Sequence, residues 1–324
     1  MKCLWIFNPD TDFARGEGNR IYTPNAKVRS MRRLRALSQA PLASIEDTIL
    51  LLDGQTEEEV ATLAEYEQVQ QKGIKLIGPD QLKHQDWTHT QIAPWGWDYT
   101  IRERLIRAGV PEIYLPSRQY VENLRLISHR RNTIPFHRLL AAQGLHANIT
   151  SPAEIYSLSE AKDWIHQYPD SFLKAPWSSS GRGVMRTYGK EETLILEWVK
   201  GTIRRQGSVM AEIHMKKTLD FATEWEITPD GISHFLGFSL FYTDNKGRYK
   251  ENLSLPQVEI RKIISSKTSE NIDAVTTAQQ HAISILIAPY YHGPAGIDML
   301  IGEEGNINGC VELNLRYTMG HLTL

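Results

Sequence analysis

The chain has 324 residues, of which 41 % are hydrophobic and 23 % charged, with a formal net charge of −2. That length exceeds one compact domain and suits two or three, while the near-neutral balance argues against a nucleic-acid partner, which needs a basic excess. No apolar run approaches the roughly 20 residues that span a bilayer, and Cys3 and Cys310 both fall in predicted strands, as expected of reduced core thiols in a cytoplasmic protein.

Residues 2–8 form a short apolar run without the long apolar stretch and small-residue cleavage site of an export signal, so they are expected as a first strand. Residues 48–53 and 75–77 also read as buried strands, with helical patterns over 25–37 and 56–72 between them. Arg29, Arg32, Arg33 and Arg35 in the first of these helices are read as a solvated face. The second opens with Thr56 and Glu59 in capping-box spacing and ends at Gly73. Strands alternating with helices predict an α/β domain with a parallel sheet. Residues 93–97 punctuate the chain; a helix is expected over 98–108, a strand over 112–115 between Pro111 and Pro116, and a helix over 128–143 closed by Gly144. The domain boundary is placed here, giving 1–127 and 128–324.

The second part changes character. A strand at 171–175 enters a Ser/Gly-rich loop, followed by a strand at 184–188 and a helix over 191–206. Strands are then expected at 208–213, 221–228 and 232–242, a helix at 271–288, and closing strands at 296–301 and 307–314. Runs of strands with helices set apart predict an α+β domain with antiparallel sheets.

Two segments carry chemistry. Lys174 ends an apolar strand, where a charge without a task is expensive, and the loop beyond it holds Ser178, Ser179, Ser180, Gly181, Arg182 and Gly183. Small residues let backbone N–H groups approach phosphate oxygens closely, and Lys174 and Arg182 add positive charge at the two ends. The alternative reading is a surface hairpin loop. The loop is not of the Walker type, and Gly16 and Gly18 make no dinucleotide fingerprint because Ile21 occupies the third glycine position.

The other segment holds Asp298, Glu312, Asn314 and Arg316. Residues two apart on a strand share a face, so Glu312, Asn314 and Arg316 align opposite Val311, Leu313 and Leu315. A three-residue turn over 304–306 pairs Asp298 with Glu312, whereas a two-residue turn at 305–306 does not. Oxygen donors without cysteine or histidine suit Mg²⁺, with Mn²⁺ as a substitute. The alternative is an ordinary polar sheet face, on which two adjacent carboxylates would repel.

In this order and spacing, a strand-end lysine before a Ser/Gly loop, an acidic strand segment and a closing D…E-x-N-x-R resemble the ATP-grasp superfamily over residues 128–324. Residues near the start (Asn8 to Asp12), 94–98 and 128–130 are also similar to a group of bacterial ATP-grasp proteins. The resemblance implies an α/β N-terminal domain followed by an ATP-grasp fold of two subdomains with antiparallel sheets, about 150–212 and 213–324. It implies ATP held by Lys174 and by the loop residues Ser178, Ser179, Ser180, Gly181, Arg182 and Gly183. Glu212 falls near the base and Asp220 where a ribose-binding acid sits, with Glu224 as its substitute. The magnesium positions map onto Asp298, Glu312 and Asn314, and Arg316 and Lys174 take the catalytic positions. The family's other phosphate-binding lysine is absent, so Arg130 or Arg131 must stand in for it, and Gly296 replaces an arginine of D-alanine ligases.

Asn8 and Asp12 follow the first strand, where open parallel sheets bind ligands, and are candidates for the second substrate; an Asx-rich turn is the other reading. The expected activity is a carboxylate–amine or carboxylate–thiol ligase acting on small molecules, with a homodimer as the ordinary assembly of soluble enzymes. A nucleotide-binding protein without ligase activity and a small-molecule kinase share the same ATP-side residues.

Overall fold

The computed structural model describes residues 2–145, 149–179, 181, 183–243 and 249–324. The chain divides into two compact units, Met1–Arg125 and Leu126–Leu324.

The first unit is a parallel four-stranded sheet in the order β3-β2-β1-β4, from β1 (Lys2–Ile6), β2 (Thr48–Leu50), β3 (Lys75–Ile77) and β4 (Thr90–Pro94). Its helices are α1 (Thr11–Gly16), α2 (Ala26–Leu34), α3 (Glu57–Val60), α4 (Tyr66–Lys72) and α5 (Tyr99–Arg107). Leu4, Ile6, Leu50, Ile77 and Ile92 meet Ile101 and Leu105 of α5 in its core. The strand β4 escapes sequence patterning because Pro94 reads as a breaker. It lies on the sheet edge, where a missing N–H costs nothing.

Three expectations fail here. Arg32, read as part of a solvated face, is buried and pairs with Asp53 at 2.5 Å and Asp10 at 3.5 Å. The helix expected over 56–72 is two helices: the capping box of Thr56 and Glu59 is present, but Leu63 and Tyr66 donate to the carbonyls three residues back. The Thr62 hydroxyl also bonds the Glu59 carbonyl, a local competitor to helical propagation. The strand expected at 112–115 is a 3₁₀ turn, Glu112–Tyr114, with Ile113 86 % exposed; Pro111 starts a turn rather than an extended run.

The helix α6 (Arg118–Ile127), not foreseen from the sequence, belongs to the first unit as far as Arg125; the second unit continues with a 3₁₀ turn Arg130–Asn132 and α7 (Thr133–Ala142). An antiparallel sheet follows in the order β5-β8-β6-β7, from β5 (Ala153–Ile155), β6 (Ser171–Lys174), β7 (Val184–Arg186) and β8 (Val209–Ile213). One face, with Ile155, Leu173, Val209 and Ala211, packs on α8 (Leu158–Gln167) and α9 (Glu192–Gln206). By alternation, Phe172, Lys174, Met210 and Glu212 share the other face.

The larger antiparallel sheet runs β11-β10-β9-β12-β13, from β9 (Lys217–Ile227), β10 (Ser233–Thr243), β11 (Tyr249–Leu253), β12 (Gly293–Gly302) and β13 (Ile307–Asn314). Between β11 and β12 come α10 (Gln257–Ser265) and α11 (Ile272–Leu286). Gln279 of α11 bonds Thr223 Oγ1 and the Gly309 carbonyl, so α11 covers the Thr223 face. The opposite face carries Ala222 and Glu224 beside Asp298 and Gly296, then Glu312 and Asn314. No helix among the described residues is long and apolar enough to cross a membrane.

Candidate functional site

The polar face of the larger sheet is built by register. Asp298 pairs directly with Glu312, and Gly296 with Asn314. The expected pairing is present but arises differently from the simple turn. Near the hairpin end Ile301 pairs with Ile307, and Gly302 N–H donates to the Asn306 carbonyl at 3.0 Å. A bulge between Asp298 and Leu300 then shifts the register and brings Glu312 opposite Asp298.

The carboxyls therefore crowd. Asp298 keeps a narrow opening to solvent, yet protein has replaced most of its water. Burial first, then the Glu312 and Glu224 charges, push its pKa up to about 8, against the pull of Arg316 and a hydrogen bond from Asn314. Arg316 Nη2 donates to Asn314 Oδ1 at 2.8 Å, and its Nη1 to the Tyr317 carbonyl at 3.0 Å.

Arg130 joins this face to the Ser/Gly loop. Its Nη2 bonds Glu312 Oε1 at 2.5 Å, and its Nη1 donates to the Ala175 carbonyl at 2.6 Å and Ser178 Oγ at 2.7 Å. The backbone N–H of Arg130 also meets the Pro176 carbonyl. Arg131 does not share this position: its side chain is half exposed and pairs with Glu154 at 3.5 Å. Of the two arginines considered for the missing lysine, only Arg130 reaches the cluster.

Lys174 Nζ donates to Glu212 Oε2 at 2.5 Å, so these two candidates form an ion pair on one face of the smaller sheet. The base of the loop is closed by Ala175 N–H donating to the Gly183 carbonyl at 2.7 Å. Ser178 and Ser179 are buried, and Gly181 and Gly183 take φ of +68° and +74°. Trp177 is held by two backbone bonds to the Gln206 amide. Ser180 and Arg182 lie outside the described residues. Asp220 is bound by Lys217 and by Thr243 Oγ1.

Glu224 cannot serve as a ribose acid. It is 1 % exposed, and its oxygens accept from Ser239 Oγ at 2.8 Å and Thr318 Oγ1 at 2.8 Å, with His321 Nδ1 at 3.0 Å. Burial raises its pKa, but the His321 charge and these hydrogen bonds outweigh burial and hold it below the ordinary value. Residues 317–321 thereby lie over Gly296, where a Cβ would meet Thr318 Cγ2 at 2.5 Å. Thr318, His321 and Ser239 carry no sequence signal, because they meet Glu224 only through tertiary packing.

Asn8 and Asp12 are both engaged within the first unit. The Asn8 amide donates to the Gly96 carbonyl at 2.8 Å and to Asp98 Oδ2 at 3.2 Å, clamping β1 to the segment after β4. Asp12 pairs with buried Arg15 at 3.3 Å.

A parallel α/β unit followed by two antiparallel sheets, with a Ser/Gly hairpin loop on one and a D…E-x-N-x-R face on the other, is the ATP-grasp fold. No protein-family model matches the chain, and no curated protein matches it. Among solved structures, the chain is similar to a biotin carboxylase of Campylobacter jejuni in a β,γ-ATP complex, with a TM-score of 0.58, 13 % identity, and 99 % of this chain and 67 % of that one covered. It is similar to the biotin carboxylase domain of a Hydrogenobacter thermophilus 2-oxoglutarate carboxylase with MgADP, ADP and bicarbonate (TM-score 0.54, 15 % identity, 99 % and 65 % covered). A D-cycloserine synthetase matches at a TM-score of 0.50 and 11 % identity, covering 99 % of this chain and 94 % of that one. At these identities the likeness is one of fold.

Proposed function

We propose that this chain is a Mg²⁺-dependent ATP-grasp ligase that joins a small carboxylic acid to an amine or thiol. The observation that carries the reading is the pairing of Asp298 with Glu312 beside Asn314, with Arg130 linking Glu312 to the Ser/Gly loop. Solved structures of the same fold hold ATP-type nucleotides and MgADP.

The donor set suits a hard divalent cation. Among the described residues no three His, Cys, Asp or Glu side chains form a metal cluster. Mg²⁺ characteristically takes one or two carboxylates and completes its shell with waters and phosphates. Asp298, Glu312 and the Asn314 amide would hold it; burial first, then the neighbouring Glu312 and Glu224 charges, raise the pKa of Asp298. When bound, Mg²⁺ neutralises phosphate charge.

In the proposed reaction an oxygen of the substrate carboxylate attacks the γ-phosphorus of ATP. The bond to the β–γ bridging oxygen breaks, ADP leaves, and an acylphosphate forms. The amine or thiol then attacks the acyl carbon, loses its proton, and expels phosphate. Lys174 and the loop N–H groups orient the phosphates, Arg130 holds the loop against the acidic face, and Arg316 stabilises charge on the transferring group.

Incubation with MgATP and a pool of amino acids and metabolites, read by mass spectrometry, tests this. A condensed product with ADP is expected. ADP with a phosphorylated acceptor would make the chain a kinase, and unchanged ATP despite nucleotide binding would make it a binding protein. The Asp298→Asn, Glu312→Gln double variant should lose turnover while folded; undiminished turnover overturns the metal assignment.

A further inference from the structure

Outside this site, the first unit contains a cleft of about 310 Å³ lined by Arg15, Asp98, Arg118, Gln119, Glu122 and Arg125. That volume lies at the lower end of the roughly 300–1,000 Å³ range of small-molecule sites. Its place in the sheet is distinctive. The chain runs from β1 to β2 and β3 on one side and returns to β4 on the other, all parallel, so strand order reverses between β1 and β4. Arg15 follows β1 and Asp98 follows β4, which puts the cleft at the carboxyl ends of the two strands at this reversal, where open parallel sheets admit ligands.

The lining carries both signs of charge. Arg118, Glu122 and Arg125 are spaced four and seven residues apart on α6 and share a face. Arg15 is 2 % exposed and donates through Nε to the Trp97 carbonyl at 3.1 Å. Asp98 is spent on the Ile101 N–H, capping α5, and on Asn8. Glu122 is gripped by Arg125 at 3.0 Å. Among the described residues, Arg118 gives only Nη2 to Glu103, at 3.2 Å, while its guanidinium lies 5.7 Å from the centre of the Tyr99 ring. Arg118 lines the cleft with a side chain that is 64 % exposed, and its planar donor fork has a shape that matches a carboxylate. A phosphate dianion suits this lining less, because Asp98 and Glu122 oppose it. A molecule with one carboxylate and one ammonium finds partners for both.

We infer that this cleft binds a small zwitterion of the amino-acid class, its carboxylate on Arg118 within the field of Arg15 and Arg125 and its ammonium towards Glu122. The inference gives a substrate class to the proposed ligase and rests on that reading only for the ligand's fate. Binding is therefore measured without nucleotide, in the wild type and in the Asp298→Asn, Glu312→Gln variant, which should bind alike even if no ligase activity exists. The probes are the twenty amino acids singly, their amides, and inorganic phosphate, followed by thermal shift and ligand-observed NMR. At least one amino acid should raise the melting midpoint, its amide should not, and Arg118→Gln should weaken binding about ten-fold or more. Gln119→Ala, which leaves every ion pair intact, should weaken it less. No response to any amino acid, an equal response to the amides or phosphate, or unchanged affinity in a folded Arg118→Gln protein would overturn the inference.

Discussion

Asp298 and Glu312 face each other directly across adjacent antiparallel strands, and Arg130 holds one oxygen of Glu312 at 2.5 Å. Like charges so placed destabilise a sheet unless one carboxyl keeps its proton or a cation intervenes. Burial, and then the Glu312 and Glu224 charges, raise the pKa of Asp298 from 3.8 to about 8, which corresponds to the first outcome. Below about pH 4 both folded and unfolded forms hold the proton and no penalty exists. As pH rises towards 8 the unfolded chain alone ionises, so stability falls. Asp298→Asn, in chelator, should therefore melt higher than the wild type at pH 7–8, by on the order of 1–3 kcal/mol, and the gap should close near pH 4. Melting curves across pH check this; a gap that widens in acid would show the opposite sign.

Arg130 and Arg131 are neighbours with unequal roles. Arg130→Lys replaces a planar fork by a point charge and cannot keep the bonds to Glu312, the Ala175 carbonyl and Ser178 together. A loss of about 2 kcal/mol is expected, with faster proteolysis of the loop after Lys174. Arg131→Gln should stay within about 0.5 kcal/mol of the wild type, as an exposed pair does. Urea unfolding of both variants makes the comparison.

Gly183 combines φ of +74° with a Cβ position 2.8 Å from Ser178 Cβ. Gly189 has φ of +70° with nothing within 4 Å of its Cβ position. Alanine at either site meets the left-handed penalty of about 1–2 kcal/mol, but only at 183 does it also push on the loop gripped by Arg130. Gly183→Ala should be the more destabilising by calorimetry and should impair nucleotide binding, while Gly189→Ala should bind normally.

Glu224 and His321 form a buried pair 97 positions apart in the chain, each at most 6 % exposed. Removing His321 takes one of its polar partners from the buried Glu224 carboxyl, a loss of about 1–3 kcal/mol. The double variant Glu224→Gln, His321→Gln should lose less than the sum of the single variants in a double-mutant cycle. Strict additivity would mean the two residues are energetically independent.

What the sequence determined by itself is local. The alternation through Val311 to Leu315 put Glu312 and Asn314 on one strand face, Lys174 stood at a strand end before small residues, and alternating strands and helices defined an α/β front. These patterns have periods of a few residues and survive folding unchanged. Only tertiary structure decided the rest. The bulge opposite Asp298 lies on the edge strand β13 while β12 keeps an unbroken register with β9 from Gly293 to Ile301, and Arg130 rather than Arg131 reaches a loop some 45 residues on. The binding of Glu224 by Thr318 and His321, and the commitment of Asn8 to Gly96, likewise join residues about 90 positions apart. Such contacts are set by the summed packing of whole elements, and no short window of sequence contains both partners.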